Sequence, residues 1–483
     1  MPFSLHLLFL IVFLLITVLL TLWSFAKRYR GGWWATLLFG SLCFALLVHQ
    51  AYWQIRGGGS VALTQFKRNH DTRPPVREDQ RLERACLRDR HGVLLAGPSK
   101  DSKWGHDAPL GPAAFHVIGY DIKGRGTTGL ERVFASTLWG VAPPSGLTEF
   151  LQAPKPKDVT LTLDSRLQRL AYDLLKGRRG AVVALDPRNG EMLVLVSSPA
   201  PEEANLLAAE RDRKNTPLFN RATQGLYPPG SIFKIFSAAL ALEKGKGGHY
   251  VCPPKGWAPG ASTRPIRDTH PQEAGELISI DKAFAESSNI WFAKSTLACG
   301  WKAVDDAIDR AGFRQGITLA SNGPHSFGTK AGVVPELYAV PNRIAYLGFG
   351  QGDLLVTPVH MAAMTATIAN EGLYVPLQLE RGQKAASKRV WPRAVAKRVR
   401  DLMTGSVRSG TSRGVALSGL TVAGKTGTAE NSGRDHAWFT CFAPAASPEI
   451  VVTVLIENGG YGAASALPVA RELLQAWHAQ RNR

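Results

Sequence analysis

The chain opens on two long apolar runs separated by one short basic break. Met1–Ala26 carries no charged residue and centres on LHLLFLIVFLLITVLLTLW; Gly31–Ile55 is also uncharged and contains WWATLLFGSLCFALLVHQAYW. Each is longer than the roughly 20 residues a helix needs to cross a bilayer. Trp23, Trp33, Trp34, Tyr52 and Trp53 stand at the ends of these runs, where aromatic rings anchor at a membrane–water interface. A cleavable signal peptide has a basic start and a shorter apolar core. The pattern therefore predicts a two-span transmembrane hairpin over residues 1–56. Lys27, Arg28 and Arg30 in its loop favour a cytoplasmic loop, with both termini outside.

Gly57-Gly58-Gly59-Ser60 is a flexible linker, and APKPKD (153–158) is a second one by composition. Between them the chain is polar and broken by Pro and Gly, with a strand-like ACLRDRHGVLLAG (85–97) and a turn-rich GRGTTGLE (124–131). From Val159 the periodicity changes. VTLTLD (159–164) alternates as a strand and SRLQRLAYDLLKG (165–177) has helical spacing. Residues 180–198 are two apolar runs about a turn, a hairpin. Helices are predicted at 231–244, 279–286, 290–298, 302–311, 357–371, 393–405 and 465–479, and strands at 420–428, 436–443 and 449–457. Hairpins with flanking helices predict an antiparallel sheet covered by helices, an α+β or mixed α/β domain.

Composition narrows the function. The 483 residues are 45% hydrophobic with a net charge of +19, so the chain is not disordered in the main. Lys27, Arg28, Arg30 and Arg56 carry +4 of that charge, leaving 19 − 4 = 15 on the rest. The basic residues are scattered and no nucleic-acid motif occurs, so no nucleic-acid partner is expected. Five cysteines with no CxxC or HExxH exclude a disulfide-stapled mini-domain and make a zinc site unexpected. No cofactor and no metal are predicted.

Several short motifs could carry chemistry. Ser231-Ile-Phe-Lys234 follows Tyr227-Pro-Pro-Gly230, a helix-start signal that places Ser231 in the first turn, near the positive end of the helix dipole. The i, i+3 spacing puts Lys234 on the same face. The helix is apolar nearly all round, hence buried. A buried lysine favours its neutral amine, which can deprotonate a neighbouring serine. As a lone tetrad, SxxK equally fits a capping serine and a snorkelling lysine. Ser279-Ile-Asp-Lys282 is a second copy without such a setting.

Ser287-Ser288-Asn289 lies between two predicted helices. It can aim a hydroxyl and an amide at one site, or simply cap the second helix. Gly424-Lys425-Thr426-Gly427-Thr428 admits two readings. Gly419 to Thr426 fits the phosphate-binding G-x-x-x-x-G-K-[ST] pattern, and VVTVLIE ends at Glu457 as a downstream acid would. That motif needs a loop followed at once by a helix, whereas a strand is predicted on either side here. The other reading is a strand edging an acyl-transfer cleft. Gly410-Thr-Ser412-Arg-Gly414 fits G-x-S-x-G, but follows a helix rather than a strand.

The order SxxK, SxN, KTG is far more specific than any member, and it is the motif set of penicillin-binding proteins and serine β-lactamases. On these motifs, with GAVVALDPRNGEMLVLVSSPA, NRATQGLYPPGSIFKIF, GFGQGDLLVTPVHMAAMTATIANEG (348–372) and DHAWFTCFAP (435–444), the chain resembles a class B penicillin-binding protein. RACLRDRHGVLLA and GTTGLE resemble the family's pedestal. The resemblance implies a membrane-anchored D,D-transpeptidase in three parts: the anchor 1–56, a linker and short β-rich pedestal 57–155, and a transpeptidase domain 156–483. That domain would hold a five-stranded antiparallel sheet flanked by helices, plus a helical subdomain. Ser231 would be the nucleophile, Lys234 its base and Ser287 a proton relay. Asn289, Lys425, Thr426, Gly427 and Thr428 would bind the substrate. Implied partners are peptidoglycan stem peptides, β-lactams, membrane lipid and a membrane glycan polymerase. The implied location is the outer face of the bacterial cytoplasmic membrane. Departures are the two spans, the short pedestal, His270–Gly275 in place of a short His-Gly turn, and Cys441 in place of a common glycine. Cys252 and Cys299 flank the SxN segment and would pair or stay free in an outside domain. A β-lactam sensor or non-catalytic scaffold would carry the same fold; a P-loop NTPase would instead bind nucleotide through Lys425.

Overall fold

The computed structural model describes residues 84–98, 106–122, 126–140, 155–202, 205–260, 263–338, 340–383 and 386–481, with isolated positions 40, 44 and 47. The spans predicted within 1–56 lie outside the described residues, apart from those three positions. Among the described residues no helix is long and apolar enough to cross a membrane.

A five-stranded antiparallel sheet forms the centre; the hairpin pattern predicts an antiparallel sheet, and the resemblance implies five strands. Its strands are β1 (Gly180–Leu185), β2 (Met192–Ser198), β3 (Ala423–Ala429), β4 (His436–Ala443) and β5 (Ile450–Ile456), in the order β3-β4-β5-β1-β2. The C-terminal strands thus insert beside the N-terminal hairpin and leave β3 at an edge. All five are buried almost throughout because both faces are covered, and β1 is apolar along its whole length. On one face Val182, Val194, Phe439, Cys441 and Val454 pack with α1 (Ser165–Leu175) and the last helix, α7 (Gly462–Arg481). On the other, Val183, Leu195, Trp438, Phe442 and Leu455 join a larger core built on helices.

That second core takes in most of the helices and reaches residues of the 84–140 region such as Leu87 and Leu130. It contains α2 (Lys234–Glu243), α3 (Ile280–Glu286), α4 (Asn289–Cys299), α5 (Pro358–Ala369) and α6 (Arg393–Ser409). Helix α5 is buried at every position, as its all-round apolar sequence requires. Thr357 caps it and Pro358 opens it. Its polar link to the sheet is satisfied: Thr365 Oγ1 donates to Met361 O (2.8 Å) and meets Thr440 Oγ1 (2.9 Å), which meets Thr453 Oγ1 (2.7 Å).

Residues 84–140 differ from the predicted β-rich pedestal. Their described strands span two to five residues, and short helices occupy Phe115–Ile118, Gly129–Val133 and Ala135–Leu138. The fold there is held by a buried ion pair and side-chain hydrogen bonds instead of a long ladder. Arg84 donates to both oxygens of Glu131 (2.7 and 2.9 Å), joining the two pedestal motifs. Asp89 accepts from Ser165 N (3.2 Å) and Ser165 Oγ (2.7 Å), tying this region to the start of α1. Leu87–Arg88 also pairs in parallel with Val159–Thr160.

Candidate functional site

The nucleophile segment is not a single helix. Gly230–Phe233 is a 3₁₀ turn, and the α-helix begins at Lys234. A 3₁₀ turn has three residues per turn, so side chains at i and i+3 eclipse. That local geometry brings Lys234 Nζ to 2.9 Å from Ser231 Oγ. Lys234 is fully buried (0% exposed) and Ser231 is half-buried.

The second motif approaches from the α3–α4 junction. Ser287 ends α3 in the left-handed region (φ 62°), which turns both its carbonyl and its hydroxyl inward. Lys234 Nζ lies 2.7 Å from Ser287 O, 3.1 Å from Ser287 Oγ and 2.7 Å from Asn289 Oδ1. Ser288, between them, caps α4 by accepting from Trp291 N (3.1 Å). The capping and site readings of this motif are thus divided among its residues.

The third motif lies on edge strand β3. Lys425 is also fully buried (0% exposed), and its Nζ reaches Ser287 Oγ (2.9 Å) and Thr426 O (3.2 Å). Ser287 Oγ therefore sits between two lysine nitrogens. Burial pushes Lys425 down to about 7. Lys234 is held well below its usual value by burial first and the neighbouring Lys425 second, with Asp268 opposing. Two ammonium groups about one hydroxyl apart in a dry site repel strongly, so at least one amine is neutral near pH 7. Among the described residues no carboxylate pairs with either amine directly.

Main-chain contacts fix the spacing of nucleophile and strand. Gly230 (φ +55°) and Gly350 (φ +76°) have no room for a side chain. A Cβ on Gly230 would stand 2.4 Å from Thr428 O, and one on Gly350 would stand 2.1 Å from Gly230 O. Gly427 similarly faces Ile232, so a Cβ there would lie 2.9 Å from Ile232 Cγ2. Thr426 Oγ1 meets Thr411 Oγ1 at 2.7 Å. Behind the nucleophile, Tyr227 OH donates to Glu457 Oε1 (2.7 Å), which also accepts from Arg221 Nε (2.9 Å), while Arg179 holds the other oxygen (3.1 Å).

Sequence reasoning missed two residues here. Asp268 accepts from Asn289 N (2.5 Å), Ile290 N (2.9 Å) and Ser288 Oγ (2.7 Å). Thr411 reaches the site because Gly410 packs on Ala285, whose carbonyl accepts from Thr411 N (3.1 Å). Neither belongs to the SxxK, SxN or KTG motif, and Thr411 stands only at a variable position of the G-x-S-x-G match. Their only signal was a polar residue in a loop.

Four sequence readings are corrected or resolved. The P-loop reading fails, because Lys425 sits inside β3, no helix follows, and Glu457 is bound by arginine and tyrosine side chains. The G-x-S-x-G match is no nucleophile elbow: Ser412 is buried and accepts from Ser406 Oγ (3.0 Å) after a helix end. The second SxxK is a cap, with Ser279 accepting from Lys282 N (3.3 Å) and Lys282 paired on the surface with Glu276 (2.6 Å). Cys252 and Cys299 are free, and each thiol makes its own local contact. Among the described residues no His, Cys, Asp and Glu cluster could hold a metal.

A serine against a buried lysine, a second serine and an amide opposite, and a strand edge alongside form an arrangement suited to acyl transfer. Comparison with known proteins agrees. The Penicillin binding protein transpeptidase domain matches residues 180–475. The chain is 31% identical over 417 residues to Peptidoglycan D,D-transpeptidase PbpA of Mycolicibacterium smegmatis, covering 74% of this chain and 81% of that one. It is 30% identical over 400 residues to Peptidoglycan D,D-transpeptidase MrdA of Acinetobacter baumannii, covering 73% and 58%. Among solved structures, the ceftriaxone acyl-enzyme of penicillin-binding protein A from M. tuberculosis aligns with a TM-score of 0.72 at 27% identity, over 82% of this chain and all but 1% of that one (99%). Pseudomonas aeruginosa PBP2 in complex with WCK 5153 gives 0.70 at 31% identity, over 82% and 96%. The chain belongs to the penicillin-binding transpeptidase family.

Proposed function

We propose that this protein is a peptidoglycan D,D-transpeptidase that forms its acyl-enzyme on Ser231. The observation that carries the assignment is Lys234 Nζ, fully buried, 2.9 Å from Ser231 Oγ. A neutral Lys234 accepts the Ser231 proton as Oγ attacks the carbonyl between the terminal D-alanines of a stem peptide. The backbone N–H groups of Ser231 and Thr428 stabilise the oxyanion. As the C–N bond breaks, the proton passes from Lys234 through Ser287 Oγ to the leaving amine; the 3.1 and 2.9 Å contacts of that hydroxyl with the two lysines support the relay. Asn289 holds the peptide amide, Lys425, Thr426 and Gly427 form the wall, and Thr428 takes the terminal carboxylate. An acceptor amine then attacks the ester, its proton returns by the same route, and Ser231 is freed with the cross-link made. A β-lactam follows the first half and stops as the acyl-enzyme.

The reading extends to residues 1–56 as a two-span anchor, 57–155 as linker and pedestal, and 156–483 as the catalytic domain outside the cytoplasmic membrane. Its partners are then stem peptides, lipid and a membrane glycan polymerase. The test is labelling of the full chain with fluorescent penicillin, alongside a topology reporter fused at the C-terminus. Labelling of wild type and loss of it in Ser231→Ala is expected, with the reporter outside. Persistent labelling of the Ala variant overturns the nucleophile, and a cytoplasmic reporter overturns the topology.

A further inference from the structure

Asp268 belongs to none of the three motifs, yet it carries one of them. Its segment follows the Trp257–Ile266 bridge as a loop and reaches the head of α4. One carboxylate oxygen accepts from the backbone N–H groups of Asn289 and Ile290, and the other from Ser288 Oγ. The preceding residue completes a clamp, because Arg267 O accepts from Asn289 Nδ2 at 2.9 Å. The Asn289 amide is therefore fixed on both sides, with Nδ2 on Arg267 and Oδ1 on Lys234 (2.7 Å). The same turn delivers the carbonyl and hydroxyl of Ser287 to that lysine.

We propose that Asp268, with the Arg267 carbonyl, is the positioning clamp that presents Ser287 and Asn289 to Lys234. This rests on Ser231–Lys234 being the acylating pair. A charge-assisted bond to a helix N-terminus is stronger than a neutral cap and complements the helix dipole. The clamp also has an electrical role. The charged groups acting on Lys234 are Lys425 from β3, which disfavours its ammonium, and Asp268, which favours it. Among the described residues acting on Lys234, Asp268 is the one of negative sign.

The test is the rate of fluorescent penicillin acylation from pH 5 to 9 in wild type, Asp268→Asn and Asp268→Glu, with Tm measured for each. Asn keeps the shape but removes the charge. Acylation should fall by about 100-fold, the scale of a small misplacement of catalytic groups. The acid limb should move to lower pH, because loss of the carboxylate makes the Lys234 ammonium less stable. Glu keeps the charge at a different reach, so the rate should fall while the limb stays near wild type. A fall in Tm with rate and limb both unchanged means a structural cap only and overturns the proposal. If the Asn variant does not fold, a Glu variant acylating within twofold of wild type overturns it equally. Labelling that survives Ser231→Ala would instead overturn the acylating pair itself.

Discussion

The chain spells S-x-x-K twice, and the two copies do different work. Ser231 stands in a 3₁₀ turn, and its lysine is buried against a second lysine. Ser279 is an extended cap (ψ 161°) whose lysine is 38% exposed and paired with Glu276. In the first copy the turn eclipses the side chains and burial removes the water that would keep the amine charged. In the second, the serine oxygen is committed to a backbone N–H and the ammonium stays solvated. Chemistry here is a property of the environment, and the four letters only permit it.

Substitutions can break or sharpen this contrast. Ser231→Ala should lower acylation by about a million-fold, the effect of losing a nucleophile, whereas Ser279→Ala should leave penicillin labelling at wild-type rate. Lys234→Met, which keeps the volume without the amine, should lower acylation by roughly 100- to 10,000-fold; Lys282→Met should change neither acylation nor, beyond about 0.5 kcal/mol, stability in a denaturant titration. The third contrast is in pH. Lys425 is depressed to about 7 in the fold from an unfolded value of about 10.4, so the unfolded chain binds more protons between those values. Stability of the wild type should rise with pH across that window. Lys425→Met removes that dependence, so its Tm advantage over wild type should be largest near pH 7 and shrink towards pH 10. A gap that grows with pH would mean Lys425 is charged in the fold. The cap itself contributes to stability alone: Ser279→Ala should cost about 1 kcal/mol.

The contrast also explains what the sequence made legible. Strands buried on both faces announced themselves as continuous apolar runs, and β4 runs His436–Ala443 as predicted. Helix α1 was legible from its spacing, while Asp164, read as the end of a strand, is the residue that caps it. Among the elements not predicted are the helices Leu206–Arg211 and Pro341–Leu347 and the hairpin of Thr318–Asn322 with His325–Gly328. They are short, and their half-buried residues lack a clear period. Of the site, Ser231, Lys234, Ser287, Asn289 and Lys425 were readable because motif order is a local signal. Asp268 was not, since its role comes from a loop meeting a helix head some twenty residues later in the chain. The break of the nucleophile helix into 3₁₀ and α parts was likewise hidden, because both turns share one apolar pattern.

The glycine contacts at Gly230 and Gly350 bear on how this cleft can change over time. Ser231 is flanked by main chain meeting main chain, on β3 at one side and on the 348–352 loop at the other. A side chain can be exchanged by a single mutation; a peptide carbonyl cannot. Variants selected by an inhibitor therefore cannot alter the separation of serine and strand directly. They must work through the rim, through the clamp at α4, or through the ease with which β3 shifts. The part of the cleft that both substrate and inhibitor must use is also the part least open to inheritance of change.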